Sequence, residues 1–116
     1  MAIAVTSTKN ALCAAYANIA TTVYVSVHTA DPGTNGANEA SGGSPAYKRV
    51  ATTWSAPANG QITGSQVTID LPAGTYTHAG LWSALNGGTF IDKVGIASTT
   101  LGAQGTLLIT PTFTMS

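Results

Sequence analysis

The sequence predicts a mainly β protein: a single antiparallel β-sandwich or barrel-like domain with one short N-terminal α-helix. Six short strand-like runs follow one another, separated by turn-forming residues, as in all-β domains. The dipeptide Asn-Gly, which tolerates the positive φ angles of hairpin turns, occurs at 35–36, 59–60 and 86–87. The length of 116 residues is that of one domain. We find no repeat and no linker, and therefore predict one domain over 1–116.

The N-terminal segment has helical spacing, with an apolar stripe formed by Leu12, Ala15, Tyr16 and Ile19. We expect a helix from about residue 9 to about residue 19. Ser7 or Thr8 would cap its start by accepting a hydrogen bond from an unpaired backbone amide. A helix this short is marginal alone in water, so the stripe should dock on the rest of the domain.

The sequence that follows the helical segment predicts strands and turns. Six candidate strands follow one another: Thr21–Thr29, Arg49–Trp54, Gln66–Leu71, Tyr76–Trp82, Thr89–Val94 and Gly105–Phe113. In the first, Val23, Val25 and Val27 share one face of the strand. Asn86-Gly87-Gly88 separates the fourth strand from the fifth and predicts a hairpin turn. Leu71-Pro72-Ala73-Gly74 predicts a second turn.

A long polar loop is predicted at about 30–46, with the sequence ADPGTNGANEASGGSPA. Loops of this length inside compact domains are usually either functional or disordered. One interpretation is a flexible surface excursion. The other, which we favour, is an extended arm that becomes ordered against a neighbouring subunit.

Charge is scarce: 7% of the residues are charged, against about 25% in an average protein, and the formal net charge is +0. Four dispersed cations do not form the basic face that duplex nucleic acid or a membrane surface requires. A neutral surface tolerates close approach of identical copies, which favours a protein that lives in an assembly. The alternative is an ordinary domain with a polar, uncharged surface.

Export and membrane insertion are not predicted. No apolar run reaches the length of a membrane span, and the N-terminus lacks the cationic start of a signal peptide. We therefore expect synthesis in a cytoplasm. The single cysteine, Cys13, has apolar neighbours and is expected to be a buried, unreactive side chain.

No catalytic, cofactor or metal site is predicted. The two histidines, His28 and His78, lie on separate candidate strands without the spacing of metal ligands. His28, Asp31 and a serine could in principle form a triad, but no Gly-x-Ser-x-Gly turn positions the serine. Trp54 and Trp82 are expected to anchor the core. A weaker alternative is a carbohydrate-binding face on which Tyr76, His78 and Trp82 would lie side by side.

Three blocks of the chain carry a resemblance to a known family. They are Val25–Gly33 with Gly36–Glu39, Gly42–Tyr47 and Arg49; Gly80–Ser83 with Gly87–Phe90; and Leu107–Phe113. The chain resembles a family of small virion proteins of tailed bacteriophages, often those of actinobacteria. Members of that family are described as minor capsid or head decoration proteins, or as tail-fibre proteins. The resemblance carries over no catalytic residues.

The resemblance implies a structural role in the virion. We expect a capsid decoration protein that binds the outer surface of the head in many copies, as a homo-oligomer and, by analogy, a trimer. Its partners would be the major capsid protein and itself, with no nucleic acid and no membrane. The alternatives are a tail-fibre component that contacts the host and a carbohydrate-binding module. The residues assigned to a subunit or shell interface are Asp31, Pro32, Gly33, Asn38, Glu39, Tyr47 and Arg49.

Overall fold

The structure, a computed structural model, describes residues 3–115 and consists mainly of antiparallel strands with one short helix. The elements are α1 (Thr6–Ala17), β1 (Val23–His28), β2 (Val50–Thr52), β3 (Gln61–Thr63), β4 (Val67–Leu71), β5 (Gly74–Trp82), β6 (Phe90–Leu101), β7 (Gly105–Ile109) and β8 (Thr112–Thr114). This confirms the predicted fold class. Across the described part of the chain the sheets do not close into a barrel.

A four-stranded sheet in the order β2-β1-β5-β6 is the centre of the molecule. All its pairings are antiparallel. The predicted hairpin turn joins β5 to β6, and both Gly87 and Gly88 adopt positive φ there. Two smaller antiparallel sheets, β4–β7 and β3–β8, complete the fold.

The hydrophobic core lies between the central sheet and the β4–β7 pair. Its buried members are Val25, Val27, Ala40, Val67, Ile69, Leu71 and Tyr76. Alternation explains this arrangement, because β4 buries Val67, Ile69 and Leu71 and leaves Thr68 exposed. The other face of β1 is also buried, because the segment between β1 and β2 folds over Ser26 and His28.

The helix differs from the prediction in its start and in its docking face. It begins at Thr6, and its N-cap is Val5, so neither Ser7 nor Thr8 caps it. The buried side chain is Cys13, which confirms its predicted burial, whereas the stripe residue Leu12 is exposed and Ile19 lies beyond the helix end and is 56% exposed.

Contact with the β3–β8 sheet determines which helix face docks. Asn10 accepts a hydrogen bond from the amide of Gly60 at 2.8 Å. Tyr16 stacks on Phe113, with 3.8 Å between ring centroids. These two contacts orient the helix so that most of the predicted stripe faces outward.

The largest differences from the predicted strands are in β6, in the last strand and in β3. The strand predicted to end at Val94 continues as β6 to Leu101. The last predicted strand is divided into β7 and β8 at Thr110 and Pro111, because proline has no amide hydrogen for a ladder. The three-residue strand β3 was not predicted, since Gln61–Thr63 is too short to show a period.

The predicted loop is folded onto its own domain and does not extend from it as an arm. Glu39 forms a bridge with His28, and the amide of Ala40 donates to the carbonyl of Val27 at 2.9 Å. Farther along, the side chain of Gln104 accepts from the amide of Ser44 and donates to the carbonyl of Pro45. Backbone polar groups of the loop therefore find partners within the same chain.

Candidate functional site

A cluster of charged and aromatic side chains, here called the polar network, fastens the loop to the central sheet. Both oxygens of Glu39 accept hydrogen bonds from Arg49, at 2.8 and 2.9 Å. The hydroxyl of Tyr47 donates to Glu39 at 2.6 Å and accepts from the amide of Val27 at 3.2 Å. Burial raises the pKa of Glu39, but the bonds from Arg49 and Tyr47 outweigh it, so that the pKa lies below its ordinary value.

Arg49 also holds the β5–β6 turn. Its guanidinium donates to the carbonyls of Ala84 and Gly87, both at 2.9 Å, and lies 3.7 Å from the ring centroid of Trp82. The side chain is 8% exposed. One buried cation thus connects the loop, the turn and an aromatic ring, and each of its contacts lies within the chain.

A second part of the polar network is a chain of hydrogen bonds beneath the loop. Trp82 Nε1 donates to Ser26 Oγ at 3.0 Å, and Ser26 Oγ lies 2.7 Å from His28 Nε2. His28 Nδ1 lies 2.8 Å from the carbonyl of Ala37. Every bond is satisfied if His28 is neutral and carries its proton on Nδ1. Burial lowers the pKa of His28, which favours that neutral form.

The contact between Ser26 and His28 has the distance of a nucleophile–base pair, but its surroundings are those of a structural hydrogen bond. Both residues are 0% exposed. A Cβ atom at Gly80 would stand 2.7 Å from Ser26 Oγ, so the strand packs directly against the hydroxyl. The triad considered with Asp31 does not form, because Asp31 pairs with Lys93 at 2.6 Å.

The seven residues assigned to an interface fall into two groups. Arg49 and Pro32 are buried, and Glu39 and Tyr47 are partly buried. Asp31 and Asn38 are exposed and Gly33 is intermediate, in a turn where the Gly33 amide donates to Asp31 Oδ1 at 2.8 Å. The structure brings Glu39, Tyr47 and Arg49 together, but as partners of one another. Their role in an interface stays a prediction.

A different feature, which we call the open seam, lies on the opposite face of the central sheet. It is a cleft of about 250 Å³ lined by residues 92–96 of β6 and by residues 109–113, which run from the end of β7 into β8. Tyr16 and Trp54 also line it. Register places Asp92 opposite Leu81 and Val94 opposite Ala79, so both side chains lie on the sheet face that packs on the core.

The layer that covers the core stops short of β6. Val94 is therefore 60% exposed, although Ala79, the residue that pairs with it on the adjacent strand β5, is buried. Asp92 accepts a hydrogen bond from Tyr16 at 2.8 Å. Burial, reinforced by this carboxylate, raises the pKa of Tyr16. The buried Nε1 of Trp54 has no acceptor among residues 3–115.

The sequence could not predict the seam, because its lining residues come from six separate elements and from Trp54. One signal was available: no charged residue or histidine occurs from Val94 to Ser116. In the part of the chain that the structure describes, the charged residues Glu39 and Arg49 belong to the polar network, and Asp31 and Lys93 pair with each other. The seam residues that follow Lys93 have no charged side chain.

The carbohydrate face considered from the sequence does not form. Tyr76 and Trp82 are 2% and 8% exposed, so neither offers a sugar platform; the predicted burial of Trp82 is confirmed, whereas Trp54 is only half-buried. Residues 3–115 contain no group of three or more potential metal-ligating side chains. None of the helices in that range has the length and apolarity of a membrane span.

Comparison with known families identifies the class. A family model of a phage fiber protein matches residues 6–113, which is nearly the whole chain, so this is a phage virion structural protein. The model is Gp80, described as podophage GP4 fiber I protein gp80, and the chain belongs to that family. The comparison with curated proteins gave no match.

Proposed function

We propose that this protein is a tail-fibre component that acts through protein–protein contacts in several copies, without nucleic acid, membrane or catalysis. The match to a fiber protein over residues 6–113 carries the proposal. The burial of Ser26 and His28 supports a non-catalytic role, because a substrate cannot reach either side chain. The low charge supports repeated packing of copies, since like charges do not accumulate.

A second candidate is the head decoration role expected from the sequence. In that role, copies of the protein, as trimers by analogy, would bind the major capsid protein on the outer capsid surface. One observation favours it: residues 3–115 form a single unit of 47 × 26 × 23 Å built of short elements, without the repeated shaft of a long fibre. A ligand that binds only the assembled shell would stabilise it by mass action.

Purified virions distinguish the two roles. Quantitative gel staining, with the major capsid protein as internal standard, gives the copy number, and immunogold electron microscopy gives the position. A fibre component predicts few copies and gold at the tail. Label spread over the head, with a copy number close to that of the capsid protein, would replace the fibre proposal by decoration. Absence of the protein from intact particles would contradict both.

Decoration has a further test in shell stability. If particles lacking the protein resist heat, chelator and low salt as well as complete particles, the stabilising role is wrong. Particles complemented with the wild-type chain are the matched control.

A further inference from the structure

We propose that Asn86, in the turn between β5 and β6, is a site of spontaneous deamidation through a succinimide, and that the fold protects the other two Asn-Gly pairs. The dipeptide occurs at 35–36, 59–60 and 86–87, so one chain holds three candidates of the same local chemistry. Their surroundings in the folded chain differ and set the order of their reactivity. The site would be present wherever in the virion the protein lies.

Deamidation at an Asn-Gly pair needs no reactant other than water. The backbone nitrogen of the glycine loses its proton and attacks the side-chain carbonyl carbon of the asparagine. A carbon–nitrogen bond forms, the bond to the side-chain nitrogen breaks, and that nitrogen takes up a proton and leaves as ammonia. Water then opens the cyclic imide at either carbonyl, which leaves aspartate or isoaspartate. The reaction therefore requires a glycine amide free to lose its proton and a main chain free to rotate.

The turn at Asn86 meets both requirements. Asn86 and Gly87 are exposed, and the amide of Gly87 makes no hydrogen bond among residues 3–115. A Cβ atom at Gly87 would meet nothing within 4 Å, so no neighbouring group opposes a rotation there. Glycine also lacks the side chain that would hinder the approach of its own nitrogen.

The pair at Asn59 lacks the free amide. Gly60 is buried, and its amide donates to Asn10 Oδ1 at 2.8 Å. The carbonyl of Gly60 accepts from the amide of Met115 at 2.8 Å, which holds the same residue from its other end. Reaction at Asn59 must therefore wait for a local opening that separates α1 from this turn.

The pair at Asn35 is intermediate. The amide of Gly36 makes no hydrogen bond within the described part of the chain, but a Cβ atom at Gly36 would overlap the indole ring of Trp82. The next amide, that of Ala37, donates to the carbonyl of Pro32 at 3.0 Å. Rotation of this segment is restricted, so Asn35 should react more slowly than Asn86 and faster than Asn59.

The product at position 86 would weaken a contact of the polar network. Arg49 donates to the carbonyls of Ala84 and Gly87, which lie on either side of Asn86 in the chain. Isoaspartate adds one carbon to the main chain between these two carbonyls, so the turn can no longer present both of them to the guanidinium in the same geometry. We expect the isoaspartate form to unfold at a lower urea concentration than the unmodified chain.

The test is incubation of the purified full chain at mildly alkaline pH, with ion-exchange chromatography and peptide mass spectrometry at intervals. We expect Asn86 to convert about tenfold faster than Asn59, because a hydrogen bond in buried surroundings must open before Gly60 can react. Asn86→Gln should abolish the fast conversion, since its longer side chain closes the ring far less readily. Asn10→Ala is the matched variant: it frees the Gly60 amide and should speed conversion at Asn59 alone.

Unfolding in urea is a control that does not depend on a variant. The three pairs lose their surroundings there, so their rates should converge. Two results would overturn the proposal: conversion of Asn59 as fast as that of Asn86 in the folded chain, or the same order of rates in urea, which would assign the order to sequence neighbours. An isoaspartate fraction that unfolds at the same urea concentration as the unmodified chain would overturn the effect on the Arg49 contact.

Discussion

The two faces of the central sheet differ in how their polar and apolar groups are satisfied. On one face the polar network buries Arg49 and His28, partly buries Glu39, and gives each of them partners within the chain. On the other face the open seam leaves Val94 exposed and Trp54 Nε1 without an acceptor. The difference indicates that the buried charges stabilise the fold, because each of them has a partner within the chain.

The largest expected effect is on the polar network. Arg49→Ala would leave Glu39 partly buried without its cation and would remove the donor to the β5–β6 turn. We expect the free energy of unfolding, measured by urea denaturation, to fall by about 3 kcal/mol. Lys48→Ala, at an exposed neighbouring position, is the control and should change it by less than about 0.5 kcal/mol. Equal effects of the two substitutions would show that the network does not stabilise the loop.

The next effect compares two glycines on one face of the central sheet, Gly80 in β5 and Gly95 in β6. A Cβ atom at Gly80 would lie 2.7 Å from both Ser26 Oγ and Phe90, whereas a Cβ atom at Gly95 meets nothing within 4 Å. Gly80→Ala should therefore lower the free energy of unfolding by about 2 kcal/mol, as overpacking does. Gly95→Ala should not lower it. Thermal denaturation of both variants checks this, and a tolerant Gly80 would mean that the strand can move away from Ser26.

Acid should weaken the polar network. The pKa of His28 is lowered by burial, and that of Glu39 is held low by Arg49 and Tyr47 despite its burial. A lowered folded-state pKa gives stability that is present above the unfolded value and lost as pH falls through the folded one. The loss should begin below about pH 6.5 for His28 and below about pH 4.5 for Glu39.

The variant His28→Gln isolates the loss of stability that is due to protonation of His28. Denaturation midpoints measured from pH 7.5 to pH 5 should fall for the wild type and stay level for the variant, whatever its midpoint at pH 7.5. A wild-type midpoint that rises on acidification would contradict the assignment of a buried neutral imidazole.

The smallest effect is expected at the ion pair between the loop and β6. Lys93 binds Asp31 at 2.6 Å, but both side chains reach solvent, and exposed pairs contribute little. Lys93→Met should leave the thermal midpoint unchanged within error at low and at high salt. A clear, salt-dependent fall would show that the pair, and not the polar network alone, holds the loop.

The local patterns predicted much of the fold. Alternation located most of β1, β4 and β5, and Asn86-Gly87-Gly88 located the hairpin turn. The helix face was only partly right: Tyr16 of the predicted stripe docks on Phe113, whereas Leu12 and Ile19 are exposed because contacts at Gly60 and Phe113 set the orientation. Both contacts join residues that are far apart in the sequence, which a local period does not detect.

The two candidate sites were less predictable. The interface assignment of seven residues included Glu39, Tyr47 and Arg49, which cluster through contacts to one another that sequence spacing does not predict. Ser26 and His28 are two residues apart in one strand and therefore share a face, so their contact could have been predicted from the sequence. The seam exists because the layer that covers the core does not reach β6. No single segment of the sequence predicts how far that layer extends.

Hydrogen exchange of the protein in intact virions, compared with the free chain at low concentration, tests the central claim most directly. The account predicts unchanged exchange at 30–46, where the loop is already bonded within the chain. New protection at 30–46 would contradict it and would favour the loop as the contact surface.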